Sequence, residues 1–133
     1  MSAELCWSVL RKNSCFLVKS QGLTLTKEPH NLTGLNSFKY NGLVNKKTVG
    51  VTSNGGKGVV LTIRKKKLRG QKHYDSSILL KGSRHTMKSI KNKLSSNSYR
   101  KDLIQPAMRR ACAILRSQKT TVMKKSRSRR KKN

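Results

Sequence analysis

RRACAILRSQK, residues 109–119, is the stretch on which the fold of this chain turns. Set on a helix with its upstream neighbours at about 100° per residue, Ile104, Ala107, Met108, Ala111, Ile114 and Leu115 gather on one side, and Arg109 and Arg116 project nearly opposite. One face requires a protein core and the other an anion. Beyond Lys119 the apolar face stops, and KKSRSRRKKN at 124–133 has no acid and almost nothing to bury. Such a composition is expected to stay unfolded until a polyanion neutralises it. A packed helix that runs into a basic tail suits a small domain built to sit on nucleic acid.

The 133 residues fit one domain, 1–118, followed by a basic tail, 119–133. Lys and Arg number 32 against 4 Asp and Glu, a formal charge of +28, and only 34% of residues are apolar. Self-repulsion opposes compaction and so lean a core offsets little of it, which implies a close to permanent polyanionic partner. The charge is uneven: residues 1–45 carry Arg11, Lys12, Lys19, Lys27 and Lys39 against Glu4 and Glu28, a net of +3, which leaves +25 for the remainder. The N-terminal third is therefore expected to be core scaffold. Cys6, Cys15 and Cys112 are odd in number and far apart, indicating neither a disulfide framework nor a zinc site but buried thiols in a reducing compartment. MSAELCWSVL lacks a cationic leader, and no apolar run approaches the roughly 20 residues that span a bilayer, so a cytosolic or nuclear protein without a membrane partner is expected.

Ser2 suits the N-cap of a short helix with Glu4 in its first turn and Arg11 and Lys12 at its end. CFLVK at 15–19 and LTLTK at 23–27 read as strands of a hairpin joined by Ser20, Gln21 and Gly22. EPHNLTGLNS, 28–37, reads as an ordered loop. SFKYNGLV, 37–44, places Phe38 and Tyr40 at strand spacing before an Asn41-Gly42 turn, and KTVGV, 47–51, predicts another short strand. After the glycine-rich TSNGGKG, VVLTIRKKK at 59–67 starts as a half-buried strand and leaves the sheet as Arg64, Lys65, Lys66 and Lys67. LRGQKHYDSS, 68–77, has no periodicity and reads as a solvated basic loop. From about Arg84 the period becomes helical through Met87, Ile90 and Leu94, with Lys88, Lys91 and Lys93 outside that face. The last helix starts near Asp102, where Asp102 and Gln105 resemble a capping box, or near Gln105, since Pro106 prefers the first helical position. The expected class is α+β: a small antiparallel sheet, a short N-terminal helix, two C-terminal helices and a basic extended tail.

Enzymatic readings fail on inventory. Acid-base chemistry and metal binding need clustered carboxylates, histidines or thiolates, whereas Glu4, Glu28, Asp75 and Asp102 are scattered. His73, Asp75 and His85 lie near one another in sequence, yet a basic loop facing phosphate is the simpler reading. GGKG at 55–58 lacks the GK[ST] ending of a phosphate-binding loop and sits between strands, so a hairpin turn is expected, with no cofactor and no small-molecule substrate. Four cationic clusters remain: Arg64 to Lys67 with Arg69; Lys88 to Lys93; Arg100 and Lys101 to Arg109 and Arg110; and the tail with Lys124, Lys125, Arg127, Arg129 and Arg130. With Arg116 and the pair Lys46 and Lys47 these form the expected phosphate-contacting set, since counterion release on a phosphate backbone drives such binding. RNA is favoured over duplex DNA because no base-reading second helix appears. Tyr74 and Tyr99 among cations suit stacking on unpaired bases, although Tyr99 equally suits a core position between helices.

The same chain resembles the eukaryotic large-subunit ribosomal protein twenty-eight family. The likeness is carried by the Met-Ser-Ala start with Leu5 and Trp7, NSCFLVK at 13–19, EPHNL at 28–32, NSFKYNGLV at 36–44, KTVGV at 47–51, GKGVV at 56–60 and above all RRACAILRSQK. It covers most of the chain and departs between about Arg64 and Ser83, in the tail, and at Lys101, where the family pattern has proline. The resemblance implies a structural constituent of the cytosolic large ribosomal subunit, bound to large-subunit rRNA and neighbouring ribosomal proteins, with nucleolar passage during assembly. Two rivals are a nucleolar assembly factor with a related domain and a basic DNA-compacting nuclear protein.

Overall fold

A computed structural model describes residues 2–65 and 73–120. Helix α1, Ala3–Leu10, opens with the Ser2 hydroxyl accepting from the Leu5 N–H and with Glu4 in its first turn. Strands β1, Leu17–Ser20, and β2, Leu23–Thr26, pair antiparallel around Gln21 and Gly22. Both turn residues have positive φ, +46° and +78°, the backbone that a tight hairpin between twisted strands requires.

The following segment corrects one expectation. No strand forms at 37–44; the chain there is wound into turns by asparagine side chains. Asn41 Oδ1 accepts from the Leu43 and Val44 N–H groups, while Asn45 Nδ2 donates to the Phe38 and Asn41 carbonyls. Asn31 organises the preceding loop similarly, accepting from Thr33 and Gly34 and donating to Leu35 O. The buried Glu28 carboxylate ties the two together, taking Asn31 Nδ2 at 2.8 Å and Asn41 Nδ2 at 2.7 Å. Burial pushes the Glu28 carboxyl up, against the Asn31 bond and a backbone bond from Gly42. Gly42 is forced by proximity: a Cβ there would lie 2.2 Å from the Pro29 carbonyl oxygen.

Strands β3, Val49–Ser53, β4, Val59–Arg64, and β5, Tyr74–Leu79, form an antiparallel sheet in the order β3-β4-β5. β5 is a second correction, because part of the stretch expected to be a solvated loop is an edge strand. Its residues pair with β4 from Arg64↔Tyr74 to Val59↔Leu79. Only Tyr74, Ile78 and Leu79 are bulky and apolar or aromatic, so the backbone ladder, not a hydrophobic pattern, places it.

Helix α2, Ser83–Ser95, and helix α3, Ile104–Ser117, are joined by two 3-10 turns, Ser96–Ser98 and Lys101–Leu103. Of the two expected starts of α3, the one near Gln105 holds to within a residue, since the helix begins at Ile104. Leu103 occupies the N-cap position and Pro106 sits inside the first turn, where its missing N–H has no helical partner to lose. Asp102 does not cap; it takes two bonds from the Arg100 guanidinium, at 2.8 and 2.7 Å. That pairing holds the Asp102 carboxyl below its ordinary range.

The core lies between the sheet and the two helices. Val49, Val51, Val59, Leu61 and Ile63 on one sheet face meet Ile90 and Leu94 of α2 and Leu103, Ala107 and Ala111 of the last helical stretch. Small residues at 107 and 111 let α3 approach the strands closely, while Met108, Ile114 and Leu115 close the sides. The expected N-terminal scaffold is thus revised: residues 1–45 supply only Leu32 and Val44 to the buried apolar set, and α1 buries no residue fully. The cysteines also differ from expectation, with Cys15 exposed, Cys6 and Cys112 half-buried, and no disulfide joining them.

Candidate nucleic-acid interface

The outward faces of α2 and α3 carry aligned cations. On α2, Arg84, Lys88 and Lys91 follow i, i+4, i+7 spacing and all are exposed, turned away from buried Thr86, Ile90 and Leu94. On α3, Arg109 and Arg116 are exposed one heptad apart, opposite Ala107 and Ala111. Arg84 was not among the residues expected from the sequence, although its spacing to Lys88 was the signal that identifies it. An open cavity of about 470 Å³ at one end of this layer is lined by Ser83, Cys112, Leu115, Arg116 and Lys119. It joins the start of α2 to the end of α3. Gly82 at the N-cap offers no side-chain bond, so the first N–H groups of α2 add positive potential beside Arg116 and Lys119. Exposed Lys81 adjoins the same turn.

None of the ion pairs among the described residues involves Arg84, Lys88, Lys91, Arg109 or Arg116. Asp75 is held by Lys65 at 3.3 Å and Lys93 at 3.9 Å, with Lys93 also donating to the Ser77 hydroxyl. Asp102 is held by Arg100, and Glu28 is buried in its asparagine network. His73 and His85 are both exposed, and Asp75 is occupied by lysines, so these three do not converge. Among the described residues no group of His, Cys, Asp or Glu could hold a metal ion.

Several cations from the expected set have work inside the fold. Arg110, only about 60° from Ala107 on the helix, donates from Nε to Val51 O at 3.0 Å and from Nη1 to Asn31 O and Leu32 O at 3.0 and 3.2 Å. It fastens α3 to β3 and to the loop before it. Arg100 reaches Lys47 O and Lys39 O besides Asp102, and Arg64 Nη1 donates to Asn45 O. Tyr99 takes the core alternative: its hydroxyl donates towards Arg64 O and Thr48 O, at 2.5 and 3.2 Å, under the Lys47 ammonium. Tyr74 stacks on His30, with ring centres 4.8 Å apart. His30 takes φ +62° to lie over Gly50, where a Cβ would come within 2.3 Å of its Nδ1. Burial, and secondarily Arg64, lowers the His30 pKa. Lys46, Lys47, Lys65 and Lys101 are exposed near these staples, away from the two-helix stripe in sequence. Lys66, Lys67, Arg69, Lys124, Lys125, Arg127, Arg129 and Arg130 lie outside the described residues.

The geometry is that of an exposed cationic surface on two packed helices. The Ribosomal L28e protein family matches residues 5–117, which takes in most of α1, both sheets and the whole of α3. The chain belongs to the Ribosomal L28e protein family. Curated relatives agree along almost their whole lengths. The large ribosomal subunit protein eL28 of Schizosaccharomyces pombe is 38% identical over 126 residues, covering 90% of this chain and 94% of the relative. Those of Dictyostelium discoideum and Caenorhabditis elegans are 34% and 37% identical, covering 95% and 89% of this chain and 98% and 91% of the relatives. The L28e match spans the departures noted between Arg64 and Ser83, which include β5. Among the described residues, no helix is long and apolar enough to cross a membrane.

Proposed function

We infer that this L28e-family chain is a structural constituent of the large ribosomal subunit, not an enzyme. The observation that carries this is near end-to-end similarity to proteins named for that subunit. These three relatives give no support to the assembly-factor and DNA-compacting readings. In its finer form, the chain lies on large-subunit rRNA through the α2–α3 face. Arg84, Lys88, Lys91, Arg109 and Arg116, with Lys119 and the uncapped start of α2, contact phosphates. Lys46, Lys47, Lys65 and Lys101 add charge, and Lys66, Lys67, Arg69, Lys124, Lys125, Arg127, Arg129 and Arg130 contribute further cations. Arg64, Arg100 and Arg110 act mainly by holding the backbone that presents those groups. Neighbouring large-subunit proteins cover part of the less charged N-terminal third, and the chain passes through the nucleolus before joining cytosolic ribosomes.

Sedimentation through a sucrose gradient tests the assignment. A tagged chain should appear stoichiometrically in large subunits and in translating polysomes, and should persist there after a moderate salt wash. Presence only in nuclear precursors or chromatin would overturn it.

A further inference from the structure

A cavity of about 620 Å³ lies where the end of α1 meets the β1–β2 hairpin, away from the α2–α3 stripe, and includes Trp7, Arg11, Lys12, Asn13, Lys19 and Asn36 in its lining. We propose that it receives one unpaired nucleotide of RNA, its base against Trp7 and its flanking phosphates on Arg11, Lys12 and Lys19. This rests on the rRNA-binding reading and adds a contact in the part of the chain with least charge.

Three observations converge on that ligand. First, residues 1–45 hold only five cations, and three of them line this one cavity. No carboxylate pairs with any of the three among the described residues. Glu4 lies in the first turn of α1, at the other end of the helix from Arg11. Three uncompensated cations around a concavity favour an anion with more than one charge. Second, an aromatic ring stands among them. Trp7 is half-buried and braced edge-on by Phe38, with ring centres 6.0 Å apart and an interplanar angle of 66°. A braced ring that keeps part of its surface open is a stacking platform for a base. Third, the walls are fixed. Asn36 Nδ2 donates to Arg11 O at 2.9 Å, tying the end of α1 to the loop, and Lys19 sits opposite Thr24 in the hairpin register. Asn13 brings an amide able to meet a base edge. The volume falls within the range of about 300–1,000 Å³ usual for small-ligand pockets. A duplex backbone instead suits an extended stripe such as that on α2 and α3.

Trp7 is the sole tryptophan of the chain, so its emission reports this cavity alone. The full-length protein is titrated with a short oligoadenylate, and Trp7 emission is followed beside the anisotropy of a labelled copy. The expected result is roughly twofold quenching that saturates with binding. A blunt RNA duplex of equal phosphate count should bind without quenching. Lys12→Glu with Lys19→Glu should shift the quenching titration at least about tenfold while anisotropy still reports binding by the remaining surface. Anisotropy that rises with Trp7 emission unchanged would overturn the pocket and leave rRNA binding standing. Equal quenching by the duplex would overturn it too, and needs no variant. Failure of any RNA to bind would sink both readings.

Discussion

Arg109 and Arg110 are adjacent and equally charged but differently placed, one exposed and one bonded into the fold, and exchanging each for methionine separates the two. Arg110→Met keeps the aliphatic stem but removes three hydrogen bonds from a guanidinium to Val51 O, Asn31 O and Leu32 O. A hydrogen bond involving a charged group contributes about 1.5–3 kcal/mol, and three on one side chain are not additive, so a loss of about 3–5 kcal/mol is expected. Whole domains of this size are stable by only about 5–15 kcal/mol. Urea unfolding in elevated salt, which screens the self-repulsion, should show a strongly lowered midpoint, with Tm down by roughly 10–20 °C. Arg109→Met, at an exposed position, should stay within about 0.5 kcal/mol of the parent. It should instead lower the slope of log affinity against log salt for rRNA fragments by about 0.7–0.9, one phosphate contact. Equal destabilisation by the two variants would refute the assignment, as would a stable Arg110→Met protein with the RNA-binding defect.

Other consequences follow from the same contacts. Charge reversal of Arg84, Lys88 and Lys91 together should reduce the salt slope by about 2–3 with little change in urea midpoint; an unchanged slope in filter binding would remove α2 from the interface. Gly58→Ala places a Cβ 2.6 Å from Leu79 O at φ +83° and should cost about 1–3 kcal/mol in thermal unfolding, whereas Gly55→Ala, with nothing near its Cβ, should cost less. Folded His30 holds a proton less tightly than the unfolded chain does, so its contribution is complete above its ordinary value of 6.5 and is lost as pH falls below it towards the folded value. The urea midpoint should therefore decline below that pH, and His30→Asn, which tolerates the same backbone, should flatten the decline. A parent midpoint that rises on acidification through this window would contradict the burial of His30.

The parts of the fold legible in the sequence are those where burial writes a period. Ile90 and Leu94 in α2, Ala107 and Ala111 in α3, and Val59, Leu61 and Ile63 in β4 announce their elements because each faces one core. β5 was hidden because Asp75, Ser76 and Ser77 occupy an edge strand whose position comes from backbone pairing. The turns at 38–45 were hidden because Phe38 and Tyr40 mimic strand alternation, while the deciding bonds come from Asn41 and Asn45. At the interface, composition located the cations but did not sort them. Helical angle carries that information for Arg110, which borders the buried stripe while Arg109 opposes it. No local signal predicts that Arg100 reaches Lys39 O and Lys47 O, since those contacts close across long sequence separations.

The α2–α3 face is proposed to rest on rRNA. A density map of the large subunit containing this chain tests it most directly. Phosphate oxygens should lie within about 4 Å of the terminal nitrogens of several among Arg84, Lys88, Lys91, Arg109 and Arg116, the distance of an ion pair. A map in which that face meets solvent or protein, with rRNA held elsewhere, would contradict it.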